Sequence, residues 1–380
     1  MTENILLRYA RLLGSGTSPS ALERSIETQT DLSDEAITDR ILISTESIQG
    51  NKRHLTKQTE AEIIQAIKFS GKKALKAIRA GDVTAFQDRS LTEALEVIVQ
   101  LDGTRPSFLI RDSQIDKSSC AAGAWSDSID VSNGLLNRFL GSVGRIGKHY
   151  HDQSRYCGTG FLVQQNMMIT NHHVLQCIAK FDNQSKVWII DQNTHIDFGY
   201  ELGGTITHPV RRITKVVFAG GNNFPIRYHN TLDMAILELE PSGLVFETFE
   251  LSNSYPATGT KIYTVGYPGP PPQGEYDNAL LRSLFQNEYG CKRLAPGIIT
   301  DAFDLLPHWS FAHDATSLGG SSGSVILTIG QEDLATGLHY GGYIFPPSEN
   351  YAHALGKAEG ADGITGQPLT EILEQYGLSR

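Results

Sequence analysis

Residues 158–175 read GTGFLVQQNMMITNHHVL. An apolar run opens on two glycines flanking a threonine, a polar QQN turn follows, and a second apolar run leads to His172 and His173 before an apolar helix start. Short apolar or β-branched runs bounded by Gly, Asn and Pro are the pattern of strands joined by tight turns. It recurs in KVWIID (186–191), ITKVVFAGG (213–221), LDMAILELE (232–240), KIYTVGYPG (261–269), PGIIT (296–300) and GSVILTI (323–329). Many short strands of this kind predict an all-β barrel or sandwich unit over the C-terminal part of the chain.

Two other patches lie in the same region. NTLDMAILELE (230–240) places Asp233 just before an alternating apolar strand, and SLGGSSGSV (317–325) sets Ser322 among glycines. Each patch alone has an ordinary structural explanation: a hydrogen-bonding histidine, a capping aspartate, a flexible glycine turn. Together they supply the parts of acyl transfer. A serine hydroxyl is a poor nucleophile at neutral pH and needs an adjacent base. Neutral imidazole suits that task, and a buried carboxylate fixes its tautomer and stabilises the imidazolium that forms. Glycines beside the serine let two backbone N–H groups converge on one point, here those of Gly320 and Ser322, where an oxyanion would sit.

The order His173, Asp233, Ser322, with gaps of 60 and 89 residues, differs from the Ser–acid–His order of α/β-hydrolases, and Ser324 stands where their G-x-S-x-G elbow needs a glycine. GTGFLV…TNHHV, LDMAI and GGSSGSV together resemble the chymotrypsin-like (trypsin-like) serine peptidases, in the bacterial branch that includes glutamyl endopeptidases. The resemblance spans about residues 140–368. It implies a mostly β, chymotrypsin-like double six-stranded β-barrel, a serine endopeptidase acting on protein or peptide substrates, and no cofactor. It also selects His173 over His172 as the catalytic histidine. A second segment, from GYPGPPPQGEYDNALLRSLFQNEYGCKRLAPG (266–297) to HDATSLGGSSGSV (313–325), resembles large bacterial trypsin-like proteins with an N-terminal extension.

The same resemblance places Thr316 where trypsin-like enzymes hold the aspartate that selects Lys or Arg, so trypsin-type specificity is not expected. Ser317 falls at the next pocket position. GLHYGG (337–342) is similar to the pocket wall of glutamyl endopeptidases, with His339 as the ligand of a substrate carboxylate and Gly341 and Gly342 lining the pocket. Two specificities stay open: an acidic residue before the cut, or a small uncharged one above a packed His339. Ser321 occupies the place of the aspartate that pairs with the new N-terminus of an activated zymogen. VGRIG (143–147) is therefore taken as the first barrel strand rather than an activation cleavage site. Cys157 and Cys177 flank the histidine loop without the spacing of the family's disulfide, and reduced thiols are expected. His149 and His151 form an H-x-H without further ligands at metal spacing, so no metal site is assigned.

Upstream, residues 1–103 read as helical. SALE (20–23) and SLTE (90–93) are capping-box patterns, and Ile63, Ile67, Ala74 and Ile78 share a helical face that ends near Gly81. This unit is expected to be a regulatory or interaction domain contacting a partner, joined through a connector (104–139) that contains a short strand, RPSFLIRD (105–112), to a peptidase domain (140–380). PGPPPQGE (268–275) reads as a loop, the segment after it as a short inserted helix, and LTEILEQYGLSR (369–380) as a closing helix.

A net charge of −10 argues against nucleic acid as the main partner, since phosphate binding calls for a basic surface. No run of eighteen apolar residues occurs, so no membrane span is expected. The first sixteen residues lack the basic and apolar regions of a signal peptide. With only four cysteines in 380 residues a cytoplasmic, reduced setting is the expectation. The competing class is a catalytically silent barrel that serves as a protein-binding scaffold.

Overall fold

The computed structural model describes residues 105–120, 122–150, 153–204, 210–220, 232–269, 285–302, 310–343 and 349–378. The helical unit expected over 1–103, its two capping boxes, His151, most of the proline-rich loop and most of the inserted helix lie outside these residues.

The described chain opens on the hairpin β1 (Phe108–Arg111) and β2 (Gln114–Asp116) and on helix α1 (Ser126–Phe139). Strands β3 (Val143–Tyr150), β4 (Gln153–Gln164) and β5 (Met167–Thr170) then lead into helix α2 (His172–Ile178). The hairpin β6 (Ala179–Asp182) and β7 (Val187–Ile190) precedes β8 (Thr194–Asp197), β9 (Val210–Ala219) and β10 (Ala235–Leu239). The remaining strands are β11 (Glu250–Leu251), β12 (Lys261–Gly266), β13 (Arg293–Ala302), β14 (Ser310–His313), β15 (Val325–Thr328), β16 (Gln331–Tyr343) and β17 (Glu349–Ala354), followed by helix α3 (Leu369–Gln375).

Two rings result. The first closes in the order β10-β5-β4-β3-β8-β9, and VGRIG lies in its strand β3. The second runs β12-β15-β16-β17-β14-β13 and closes through the β12–β13 pairing. This is the double six-stranded barrel of the chymotrypsin-like fold.

The period-2 patterning explains how both rings fill and then join. In the first barrel Leu162, Met168, Ala235 and Leu237 point inward, and the second is filled by Ile262, Ile299, Phe311 and Ile326. The intervening residues, Phe161, Ile169 and Ile236 from one barrel and Tyr263, Val265, Val325 and Leu327 from the other, meet in a shared buried cluster. Each strand thus spends one face on its own barrel and the other on the seam. Fully burying such a side chain contributes about 1.5–3 kcal/mol, in the seam as inside a ring.

The segment expected to be a connector is built into this body. The expected strand forms as β1, which pairs antiparallel with β13 through Phe108↔Leu294 and Leu109↔Arg293. Helix α1 buries Ile129, Ser132, Leu136 and Phe139, a stripe at helical spacing. Its serines, aspartates, asparagines and mid-helix glycine favour turns and caps, and they mask that stripe in the sequence.

Lys292, immediately before β13, is fully buried. Its ammonium donates to Leu140 O (3.0 Å), Phe198 O (2.9 Å) and Glu201 Oε1 (2.8 Å). Burial pulls its pKa down and the Glu201 carboxylate opposes that pull. All three ammonium protons are used, tying the end of the connector and the first barrel to the second. The closing helix forms as α3, with Leu369, Ile372 and Leu373 buried. Among the described residues no helix is long and apolar enough to cross a membrane.

Candidate active site

Helix α2 starts at the paired histidines and separates their roles. His172 is buried and meets the Trp188 ring edge-on at 5.5 Å. His173 is half-buried, and its Nδ1 lies 2.6 Å from Asp233 Oδ2. The other carboxylate oxygen, Oδ1, accepts the His173 backbone N–H at 2.9 Å. Asp233 is itself braced from both barrels: Asn171 Nδ2 donates to its carbonyl (2.9 Å), and its own N–H donates to His353 Nε2 (3.0 Å).

Burial disfavours charge on either partner, but their mutual hydrogen bond and attraction more than reverse it. His173 is raised above the ordinary imidazole value and Asp233 is lowered below the ordinary carboxyl value. An ionised carboxylate only accepts, so Nδ1 carries the proton of neutral His173 and Nε2 is left as the basic nitrogen.

Strand β4 links helix α2 to the serine turn. Gly158 sits between the residue after His173 and the serine turn: a Cβ there would lie 2.6 Å from Val174 Cγ2 and 3.0 Å from Ser322 O. No side chain fits, which explains the first glycine of GTGF. The Thr159 N–H then donates to Ser322 O at 2.8 Å.

Within the serine turn, the N–H groups of Ser321, Gly323 and Ser324 donate to Leu318 O, His339 O and Ser321 O respectively. Those of Gly320 and Ser322 have no backbone acceptor among the described residues. They are the two donors singled out from the sequence. Gly320 has φ +92°, and a Cβ on it would come within 2.5 Å of the Tyr156 ring.

The pocket residues are more constrained than their sequence suggests. Thr316 Oγ1 donates to Arg105 O (2.8 Å), and Ser317 Oγ donates to Asn350 Oδ1 (2.6 Å). Asn350 Nδ2 in turn donates to Ala315 O at 2.6 Å. Gly341 and Gly342 lie in β16, paired with Tyr351 and Asn350 of β17. His339 is buried, with Nδ1 3.2 Å from His313 Nε2, which leaves Nε2 as its ring nitrogen for a ligand. Burial, and to a lesser degree charge on His173, push its pKa down to about 3.

Sequence reasoning passed over Tyr156, Thr159, His313, Asn350 and His353. A threonine between two glycines and the histidine of HDATSL were the available signals for two of them. The four cysteines, Cys120, Cys157, Cys177 and Cys291, are unbridged. Among the described residues no group of His, Cys, Asp and Glu is arranged to hold a metal.

The profile of the trypsin-like peptidase domain matches residues 158–334, the stretch that carries His173, Asp233 and Ser322. A probable serine protease of Lysobacter enzymogenes is 30% identical over 295 residues, covering 70% of this chain and 73% of that protein. Among solved structures, a Glu endopeptidase in complex with MPD aligns with TM-score 0.40 at 16% identity, over 63% of this chain and 92% of its own. A serine endoprotease from Yersinia pestis aligns with TM-score 0.37 at 15% identity, over 58% and 61%. By its match to the relative and to the domain profile, the chain belongs to the trypsin-like serine peptidases.

Proposed function

We propose that the chain is an endopeptidase working through Ser322, His173 and Asp233. The observation that carries this is the 2.6 Å contact between His173 Nδ1 and Asp233 Oδ2. Ser322 Oγ attacks the scissile carbonyl while His173 Nε2 takes its proton, and Asp233 stabilises the imidazolium. The oxyanion is held by Gly320 N–H and Ser322 N–H, each worth about 3–4 kcal/mol in the transition state. His173 returns the proton to the leaving amine, and water then hydrolyses the acyl-enzyme by the same steps. A fluorophosphonate probe tests the assignment. Labelling of the wild type that Ser322→Ala abolishes supports it. A wild type that never labels overturns it in favour of a silent binding barrel.

For specificity, we propose an acidic residue, Glu before Asp, on the N-terminal side of the cut. Support comes from His339, whose Nδ1 is backed by His313 while Nε2 is left for a substrate carboxylate. No acidic side chain replaces the missing pocket aspartate at Thr316. In a peptide panel varying only that residue, Glu is expected to be cleaved fastest, and faster cleavage after Ala or Leu overturns the assignment. Control by residues 1–103 is proposed as well. The described chain enters beside the pocket, where Arg105 O accepts the Thr316 hydroxyl, so movement of the upstream unit would act on the pocket wall.

A further inference from the structure

Resting on the roles just proposed for Gly320 and Ser322, we propose that Tyr156 and Thr159 are positioning residues that set the oxyanion turn, the task for which zymogen-type relatives use an aspartate before the nucleophile. In this chain that position is Ser321, and among the described residues its hydroxyl receives the Leu318 N–H at 3.4 Å. A neutral contact of that length inside the turn cannot hold the turn against the rest of the protein.

The hold comes from the carbonyls. In a trans peptide C=O and N–H point in opposite directions, so pinning a carbonyl aims the N–H of the next residue. Gly319 O accepts the Gly269 N–H at 2.7 Å, which turns Gly320 N–H away from Gly269. Ser321 O accepts Ser324 N–H (2.9 Å) and Ser324 Oγ (2.5 Å), which turns Ser322 N–H the other way. The peptide between these two is fixed from the first barrel. Gly320 O accepts the Tyr156 phenol and, at 3.1 Å, the Thr159 hydroxyl.

Both side chains reach further. The Tyr156 hydroxyl also contacts Tyr267 O, and Thr159 Oγ1 accepts the Tyr267 N–H at 3.1 Å. Tyr267 lies two residues before Gly269, the donor to Gly319 O. One tyrosine and one threonine on β4 therefore join the central peptide of the turn, between the two donor-bearing peptides, to the loop that pins the first of them. Thr159 is fully buried, and burial drives the Tyr156 phenol pKa upward, so it remains a proton donor. The Arg145 guanidinium sits 5.7 Å from the Tyr156 ring centroid, fixing the ring independently of its hydroxyl.

The deciding variant is Tyr156→Phe, which removes one oxygen and keeps the ring, measured on the full chain beside Thr159→Val and Thr159→Ser. The readout is the fluorophosphonate labelling rate, separated into the maximal rate and the half-saturating probe concentration, with its pH profile. Loss of an oxyanion donor costs about 100- to 1,000-fold, and misaiming a donor that is still present is expected to cost about 10- to 100-fold. Tyr156→Phe and Thr159→Val are expected to lose that much in maximal rate, with half-saturation and the His173 inflection unmoved. Thr159→Ser, which keeps the hydroxyl, is expected to retain the rate. Equal maximal rates in wild type and Tyr156→Phe overturn this inference alone. A loss of rate accompanied by a shifted His173 inflection also overturns it, because the damage then lies in general structure. Failure of Ser322→Ala to abolish labelling overturns the assignment of the nucleophile instead.

Discussion

His173 and His339 are imidazoles close enough that charge on one depresses the other, yet the protein shifts them in opposite directions. Burial opposes the charged form of both. His173 has an ionised Asp233 at 2.6 Å and ends above the ordinary value, while His339 is buried more completely, faces the His313 ring at 3.2 Å and ends near 3. Burial is the larger influence on His339, whereas at His173 the carboxylate partner more than offsets it. On the proposed roles, the base that must become a cation is given an anion in advance, and the imidazole that would receive an anionic ligand is kept neutral without one.

The largest effect comes from removing the difference at its source. Asp233→Asn leaves His173 without its carboxylate and is expected to lower kcat/KM by roughly 10⁴-fold. It should also move the His173 inflection to lower pH, and an unmoved inflection would show that Asp233 is not the group that raises it.

Next comes His339→Gln. A hydrogen bond to a charged group is worth about 1.5–3 kcal/mol, so the preference for Glu over Gln substrates should shrink by about 10- to 100-fold, with little change on uncharged substrates. Glu substrates should bind with proton uptake at His339, so their KM should rise relative to Gln analogues as pH rises. A Glu-to-Gln ratio that is flat with pH excludes the imidazole as the ligand.

The smallest effect is the wild-type pH profile on an uncharged substrate. Protonated His173 has no lone pair to accept the serine proton, so kcat/KM should fall as pH drops through its pKa. Because that pKa is raised, the inflection should lie above the ordinary imidazole value of 6.5. An inflection below that value would contradict the Asp233 pairing.

These contrasts were unevenly legible in the sequence. The His173–Asp233 pairing was readable because a base and its carboxylate demand different residue types, and the glycines around Ser322 mark a backbone that must turn sharply. The barrels were readable because period-2 runs such as 232–240 serve an interior and a seam at once. Helix α1 was obscured by turn-forming residues, and only tertiary burial of Ile129, Leu136 and Phe139 reveals it. The pins on the oxyanion turn were invisible for another reason. They are bonds to backbone carbonyls, which every residue carries, so only the folded chain shows which ones Tyr156 and Thr159 reach. His353 is similar: its Nε2 accepts a backbone N–H from the opposite barrel, a contact without any local signature.

The pairing of β1 with β13 also sets a schedule. Phe108 finds Leu294 only after the intervening chain, 186 residues from 108 to 294, has been made. At about 5–20 residues per second, synthesis of that stretch takes on the order of ten to forty seconds. Strands β15, β16 and β17 come later still, so the sheet that receives the hairpin closes only when nearly the whole chain has been made. The connector's anchorage and the serine turn are thus completed together, at the end of synthesis.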